Sequence, residues 1–198
     1  MQMFIQVVQG KVKDADQLRR ELRRWRYELK PGAKGYLGTT SGVTPDGRAI
    51  ALFRFESEKD ARANSALAAQ GKWWKEAAKA FDGKVVVHNC KEVDTVIGGG
   101  SNWAGFVQVI QGRTKKQAEM RRRMSEMQGQ LRTARPDILG AVVAWHGDGG
   151  FTQAVYFTSA QAAHAAEAAA ENDEMGKEFG DFLDGPPTFF DLAPADFD

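Results

Sequence analysis

A chain of 198 residues with 27 Lys and Arg against 26 Asp and Glu carries almost no net charge, so no whole-molecule field steers it to nucleic acid or anionic lipid. A single cysteine, Cys90, excludes an intramolecular disulfide and fits a reducing compartment. No basic and then apolar leader opens the sequence and no apolar run has bilayer-spanning length. Together these predict a cytoplasmic protein with neither a nucleic-acid nor a membrane partner.

The stretch FIQVVQG, Phe4 to Gly10, is short, rich in β-branched residues and closed by glycine, as a strand is. Asp14 with Gln17 three residues on makes a capping-box pattern. Behind it Leu18, Leu22, Trp25 and Leu29 lay one apolar stripe along a helix that Pro31-Gly32 ends. GYLGTTSGV and AIALFRF flank Asp46-Gly47, a pair suited to a tight hairpin needing positive φ. Ser57 caps a second helix, expected to break near Gln70-Gly71 before KWWKEAAKAF. KVVVHNC then completes a strand–helix–strand–strand–helix–strand block.

The block is written twice. FVQVIQG, Phe106 to Gly112, restates the first strand, and the same offset keeps the two halves in phase without a gap. Thr114 with Gln117 repeats the capping pattern; Met120, Met124, Met127 and Leu131 repeat the helical stripe, with Pro136 beyond it. Asp148-Gly149 repeats the hairpin, Ser159 the cap, and PTFFDL the last strand. DTVIGGGSNWAG between the halves is glycine-rich and aperiodic, which fits a linker. The expected division is a first unit at 1–93, a linker at 94–104 and a second unit at 105–198. A block with both helices on one sheet face leaves the other face to be covered, and the second copy is its expected cover.

FIQVVQG and FVQVIQG, the Asp-Gly hairpins, the passages RFES and YFTS into the second helix, and WWKEAAKAFDG resemble the dimeric α/β-barrel superfamily, in particular its antibiotic-biosynthesis-monooxygenase-like group. The resemblance covers nearly the whole chain. It implies an α+β fold of two tandem ferredoxin-like βαββαβ units packed sheet to sheet, an intramolecular dimeric α/β barrel and so a monomeric pseudo-dimer that could associate further. It also implies a pocket within each unit, between sheet and helices. It does not fix a reaction, because the superfamily holds cofactor-free oxygenases of phenolic polyketides, haem-degrading oxygenases and proteins without assigned activity. The haem-degrading branch places an Asn on the first strand, and a Trp with a His shortly after it on the second helix. Here the strand offers Gln6, the helix Trp73 and Trp74, and the position of the His is Ala78, so an axial ligand is missing.

The candidate binding residues are Gln6, Asn64, Trp74 and Gln108. Gln6 and Gln108 are amides on otherwise apolar first strands, either hydrogen-bonded structural groups or ligand-orienting ones. Trp73 matches Met175 in the second half and reads as core, whereas Trp74 matches Gly176 and reads equally as a packing residue or as an aromatic wall. Asn64 matches Ala166 and Arg62 matches His164, which makes the halves chemically unequal, although a solvated helix face would show the same contrast. His88 and Cys90 share a strand face, but zinc takes four ligands and neither His146 nor His164 lies near them in sequence, so no metal is expected. GGGSN lacks the lysine and the strand-to-helix setting of a phosphate loop. No nucleophile elbow is present. An RNA-recognition surface is unsupported too, since Ile50, Leu52, Thr152 and Ala154 stand where stacking aromatics would.

The reading that follows is a binder of a small apolar or aromatic ligand that resembles the cofactor-independent monooxygenases, with no cofactor and no evident general base. The alternatives are a non-catalytic ligand-binding or stress-associated module, and an interaction protein whose pockets are filled by its own side chains.

Overall fold

The structure, a computed structural model, describes residues 3–170, 174–192 and 194–198. The chain forms two compact units: the first takes Met1–Glu92 together with Ala195–Asp198, the second Val93–Pro194. Each is built on a five-stranded sheet with helices, and each repeats the ferredoxin-like βαββαβ order.

In the first unit, β1 (Phe4–Val12) leads into α1 (Ala15–Arg24), β2 (Tyr36–Val43) and β3 (Arg48–Phe55). After these come α2 (Glu58–Ser65), α3 (Ala68–Ala78) and β4 (Phe81–Cys90). A π-turn at Trp25–Leu29 and a 3-10 turn at Lys30–Gly32 prolong α1 to the Pro-Gly stop. The Asp14 carboxylate accepts the Gln17 backbone N–H at 2.8 Å and Ser57 Oγ accepts that of Asp60 at 3.2 Å, so both predicted caps form. Gly47 turns the β2–β3 hairpin at φ +81°, a conformation that L side chains rarely adopt. Leu18 and Trp25 are buried from the predicted stripe.

The second unit follows the same plan. It contains β5 (Glu92–Val96), β6 (Phe106–Arg113), α4 (Gln117–Ala134), β7 (Ile138–Trp145), β8 (Gly150–Phe157), α5 (Ala160–Ala170), α6 (Glu174–Gly180) and β9 (Thr188–Leu192). Met120, Met124 and Met127 are buried on α4, as their spacing predicts. Ser159 Oγ accepts the Ala162 N–H at 3.1 Å.

Three local expectations differ from the structure. The second helix of the first unit breaks at Ala66-Leu67, where Leu67 is extended (ψ 131°), and not at Gln70-Gly71; Gly71 lies inside α3. The helix α4 starts after Lys116, because Thr114 Oγ1 accepts the Lys116 N–H in a turn instead of capping a helix. Finally, the start of the expected linker is strand: β5 adds to the edge of the second sheet beside β7. Glu92-Val-Asp-Thr-Val96 has three β-branched residues in five and ends before the glycines, so it can pair where the glycine run cannot.

The sheet orders are β10-β2-β3-β1-β4 and β5-β7-β8-β6-β9, where β10 is Asp196–Phe197. Thus each sheet gains a fifth, edge strand from the segment after a last ferredoxin strand. In the first unit the tail is fastened beyond its two-residue pairing. Asp198 and Thr39 exchange both backbone bonds, 3.0 and 3.1 Å, and the Asp198 carboxylate pairs with Lys30 and takes the Tyr36 hydroxyl at 3.3 Å.

Candidate functional site

Strand alternation decides which side chains of β1 meet the helices. Phe4 packs with Phe55 and with Ala61 of α2 in one apolar cluster, so residues of the same parity face α2. Gln6 is the next of these. It lies in register with Asn89 of β4 and donates its Nε2 to Asn89 Oδ1 at 2.9 Å. Phe4, Gln6 and Asn89 on the sheet, with Glu58, Arg62 and Ser65 on α2, line a cleft of about 430 Å³. That volume falls in the range of small-molecule sites, about 300–1,000 Å³.

The cleft combines one aromatic ring, a coupled amide pair and an ionic rim. Arg62 donates Nε and Nη2 to Glu58 Oε1 at 2.9 and 2.7 Å, and Lys91 Nζ sits 3.0 Å from Glu58 Oε2. Hydrogen bonds from Arg62 and then Lys91 hold the Glu58 carboxyl below the ordinary carboxylate range. A carboxylate held this way is a weak base, so Glu58 fixes the cations more than it moves protons. In the same unit the phenol of Tyr36 is pushed well above its ordinary range by burial.

Trp74 lies elsewhere in the first unit. It is half-buried and packs against Trp73 and Phe81, with ring centroids 6.0 and 6.4 Å away. Trp73 is core: it is buried among Trp25 and Ala77 and gives its indole N–H to the Glu21 carbonyl at 2.7 Å. Asn64 is buried on α2, on a different side from the cleft-lining Arg62 and Ser65. The structure therefore brings Gln6 to the cleft and keeps Asn64 and Trp74 out of its lining.

Gln108 repeats the Gln6 geometry in the second unit. It is buried on β6, in register with Asp191 of β9, and donates Nε2 to Asp191 Oδ1 at 3.1 Å. The other carboxylate oxygen, Oδ2, lies 3.4 Å from Nε2 of His164 on α5. The His164 ring rests against Phe106 with centroids 5.4 Å apart. Sequence reasoning found the two glutamines but missed Asn89 and Asp191, their partners across the sheet. The repeat offset was the available signal, since it matches Asn89 with Asp191 as it matches Gln6 with Gln108.

Among the described residues, no group of three or more His, Cys, Asp or Glu could hold a metal ion, and no helix is long and apolar enough to cross a membrane. No family model matches the sequence, and no curated protein matches it. Solved structures do match the whole chain in fold. A proposed monooxygenase of Lactobacillus acidophilus NCFM is similar at 12% identity and a TM-score of 0.70, over 97% of this chain and 93% of that one. A proposed monooxygenase of Fusobacterium nucleatum is similar at 10% identity and 0.71, over 96% and 91%. An anthrone oxidase-like protein is similar at 14% identity and 0.70, over 100% and 94%. At these identities the likeness is one of fold alone: a tandem pair of ferredoxin-like units.

Proposed function

We propose that this protein binds a small aromatic molecule bearing an ionisable hydroxyl, and acts on it as an oxygenase of the cofactor-independent kind. The observation that carries the reading is the cleft between α2 and the first sheet, with its aromatic floor, amide pair and cationic rim. Phe4 offers an apolar surface to a ring, the Gln6–Asn89 pair orients a carbonyl or hydroxyl, and Arg62 and Lys91 favour the anionic form of the ligand. The full-length fold likeness to proposed monooxygenases and to an anthrone oxidase-like protein supports the same class.

In such a reaction the ionised substrate is itself the reductant. Loss of a proton leaves an electron pair on a ring carbon that bears hydrogen, and that pair forms a C–O bond to dioxygen. The peroxide, once protonated, loses water and leaves a carbonyl. One CH₂ and one O₂ give one C=O and one H₂O. The protein's part is to orient the ring and stabilise the anion.

The test is oxygen consumption with a panel of hydroxylated aromatics, anthrone included, beside a binding titration. Uptake of one O₂ per product is expected. Gln6→Leu and Arg62→Gln should each lower it about ten- to hundredfold, as loss of a charge-assisted or orienting bond does. Binding without uptake would remove the oxygenase half of the reading, and absence of both would remove all of it.

A further inference from the structure

We infer that the ligand of the first-unit cleft is an aromatic acid, a ring that carries a carboxylate at the Arg62–Lys91 end and a hydroxyl at the Gln6–Asn89 end. The inference rests on the reading of this cleft as a site for hydroxylated aromatics and names the class of molecule that it takes.

The charges joined at the rim do not cancel. Glu58 supplies one negative charge, and Arg62 and Lys91 supply two positive ones. Glu58 also leaves both cations with donors to spare. Of the five N–H groups of Arg62, two bond to Glu58 Oε1, at 2.9 and 2.7 Å, and the three-donor ammonium of Lys91 meets Oε2 at 3.0 Å. Among the described residues no other hydrogen bond or ion pair engages either side chain. The rim is therefore one anion short of neutral, and a planar carboxylate suits a guanidinium fork.

That anion has to arrive already ionised. Gln6, Asn89 and Ser65 take up no proton near neutral pH, and Glu58 is a weak base because Arg62 and Lys91 hold its charged form. At neutral pH an ordinary phenol is ionised in about one part in a thousand, whereas an ordinary carboxylic acid is ionised almost completely. A carboxylate thus meets the rim charge without help from the protein, and the hydroxyl falls to the amides. Gln6 gives an Nε2 proton to Asn89 Oδ1, which leaves the Gln6 carbonyl as an acceptor and the Asn89 amide nitrogen as a donor. A hydroxyl can use both.

The strand register sets the spacing between the two ends. Ile5 pairs with Cys90 and Gln6 with Asn89, so Lys91, the residue after β4, is level with Phe4 and shares its sheet face. The step from that level to the amide pair is two residues, about 7 Å, the reach of one benzene ring with polar groups at opposite ends. Phe4, which lines the cleft, supplies the apolar surface at this level.

The Arg62 and Lys91 side chains are 77% and 67% exposed, so replacing either by glutamine leaves the core intact. The probes are 4-hydroxybenzoate and its methyl ester, which keeps the ring and the hydroxyl and loses the charge. Ligand-observed NMR titrations at neutral pH and low salt give both affinities. Wild type should bind the acid about tenfold or more tightly than the ester, as a charge-assisted contact does. Arg62→Gln and Lys91→Gln should each bring that ratio towards one, as should added salt, which screens exposed charges. Gln6→Leu should weaken acid and ester in equal proportion, so that the ratio holds. A ratio near one in wild type, or a preference that survives both Arg62→Gln and Lys91→Gln, overturns the inference. An ester that still binds, and binds less well to Gln6→Leu, then leaves the wider reading standing. If neither probe binds, both fall.

Discussion

Replacing Trp73 by alanine tests whether the tryptophans of α3 are core or ligand wall. Trp73 is 3% exposed, touches Trp25 and Trp74 at centroid distances of 6.4 and 6.0 Å, and donates its indole N–H to the Glu21 carbonyl at 2.7 Å. A bond runs the opposite way between the same elements, from Trp25 Nε1 to Gln70 Oε1 at 2.8 Å. Truncating a buried tryptophan costs about 3–5 kcal/mol in transfer and cavity terms. For a chain of this size each kcal/mol lowers the melting midpoint by about 2–4 °C, so a fall of about 6–20 °C is expected. Trp73→Phe keeps most of the packing and loses the hydrogen bond, a cost of about 1 kcal/mol, so it should fall far less. Circular dichroism melting reads both without depending on indole emission. A midpoint within about 2 °C of wild type for the alanine variant, well under the drop such truncations cause, together with loss of ligand binding, would refute the assignment to core.

The second unit supplies two more tests. Asp94 of β5 accepts the buried Trp145 indole at 2.7 Å and pairs with Arg121 at 2.7 Å. Asp94→Ala should cost about 1–3 kcal/mol, the penalty for orphaning a buried donor, while Asp94→Asn, which keeps an acceptor, should lose less in urea unfolding. Hydrogen bonding from Arg135, at 2.7 and 2.9 Å, holds the Asp137 carboxyl below its ordinary range. A depressed folded-state value means that this stabilisation is whole above the unfolded carboxyl's range and disappears as pH falls through the lowered value. Melting midpoints followed from neutral pH into acid should therefore drop less steeply for Asp137→Asn than for wild type.

The repeat carried most of the architecture because period, caps and turns are local properties. FIQVVQG and FVQVIQG, Asp14, Ser57 and the Asp-Gly turns each satisfy a backbone requirement within a few residues, and each forms as its sequence implies. The edge strands escaped notice for a physical reason. Asp196–Phe197 pairs over only two residues with β2, and it is held as much by Asp198 on Lys30 and Tyr36 as by any strand propensity. Such a strand is defined by partners far away in sequence. The site divides the same way. Gln6 and Gln108 stand out as amides in apolar strands, whereas Trp74 drew attention by size and lies against Trp73 and Phe81. Asn89 and Asp191 draw none until β1–β4 and β6–β9 register sets them opposite the glutamines.

That register also places different charge pairs on one duplicated frame. In the first unit the carboxylate sits on the helix, at Glu58, and the cation that answers it is Arg62, one turn on. In the second unit the residue matching Glu58 is Ala160, and the carboxylate appears on the strand instead, at Asp191, where its partner across the sheet is again a glutamine. Moving the negative charge from helix to strand changes what the neighbouring helical position has to be. A guanidinium beside Glu58 is a permanent cation, whereas an imidazole, as beside Asp191, carries a charge only when protonated. The three matched positions Glu58 and Ala160, Arg62 and His164, and Asn89 and Asp191 thus differ together, and each unit keeps one carboxylate beside one basic helical side chain. Exchanging a single member, such as Asp191→Asn, leaves an imidazole without its carboxylate, whereas a scattered surface drift would show no such dependence.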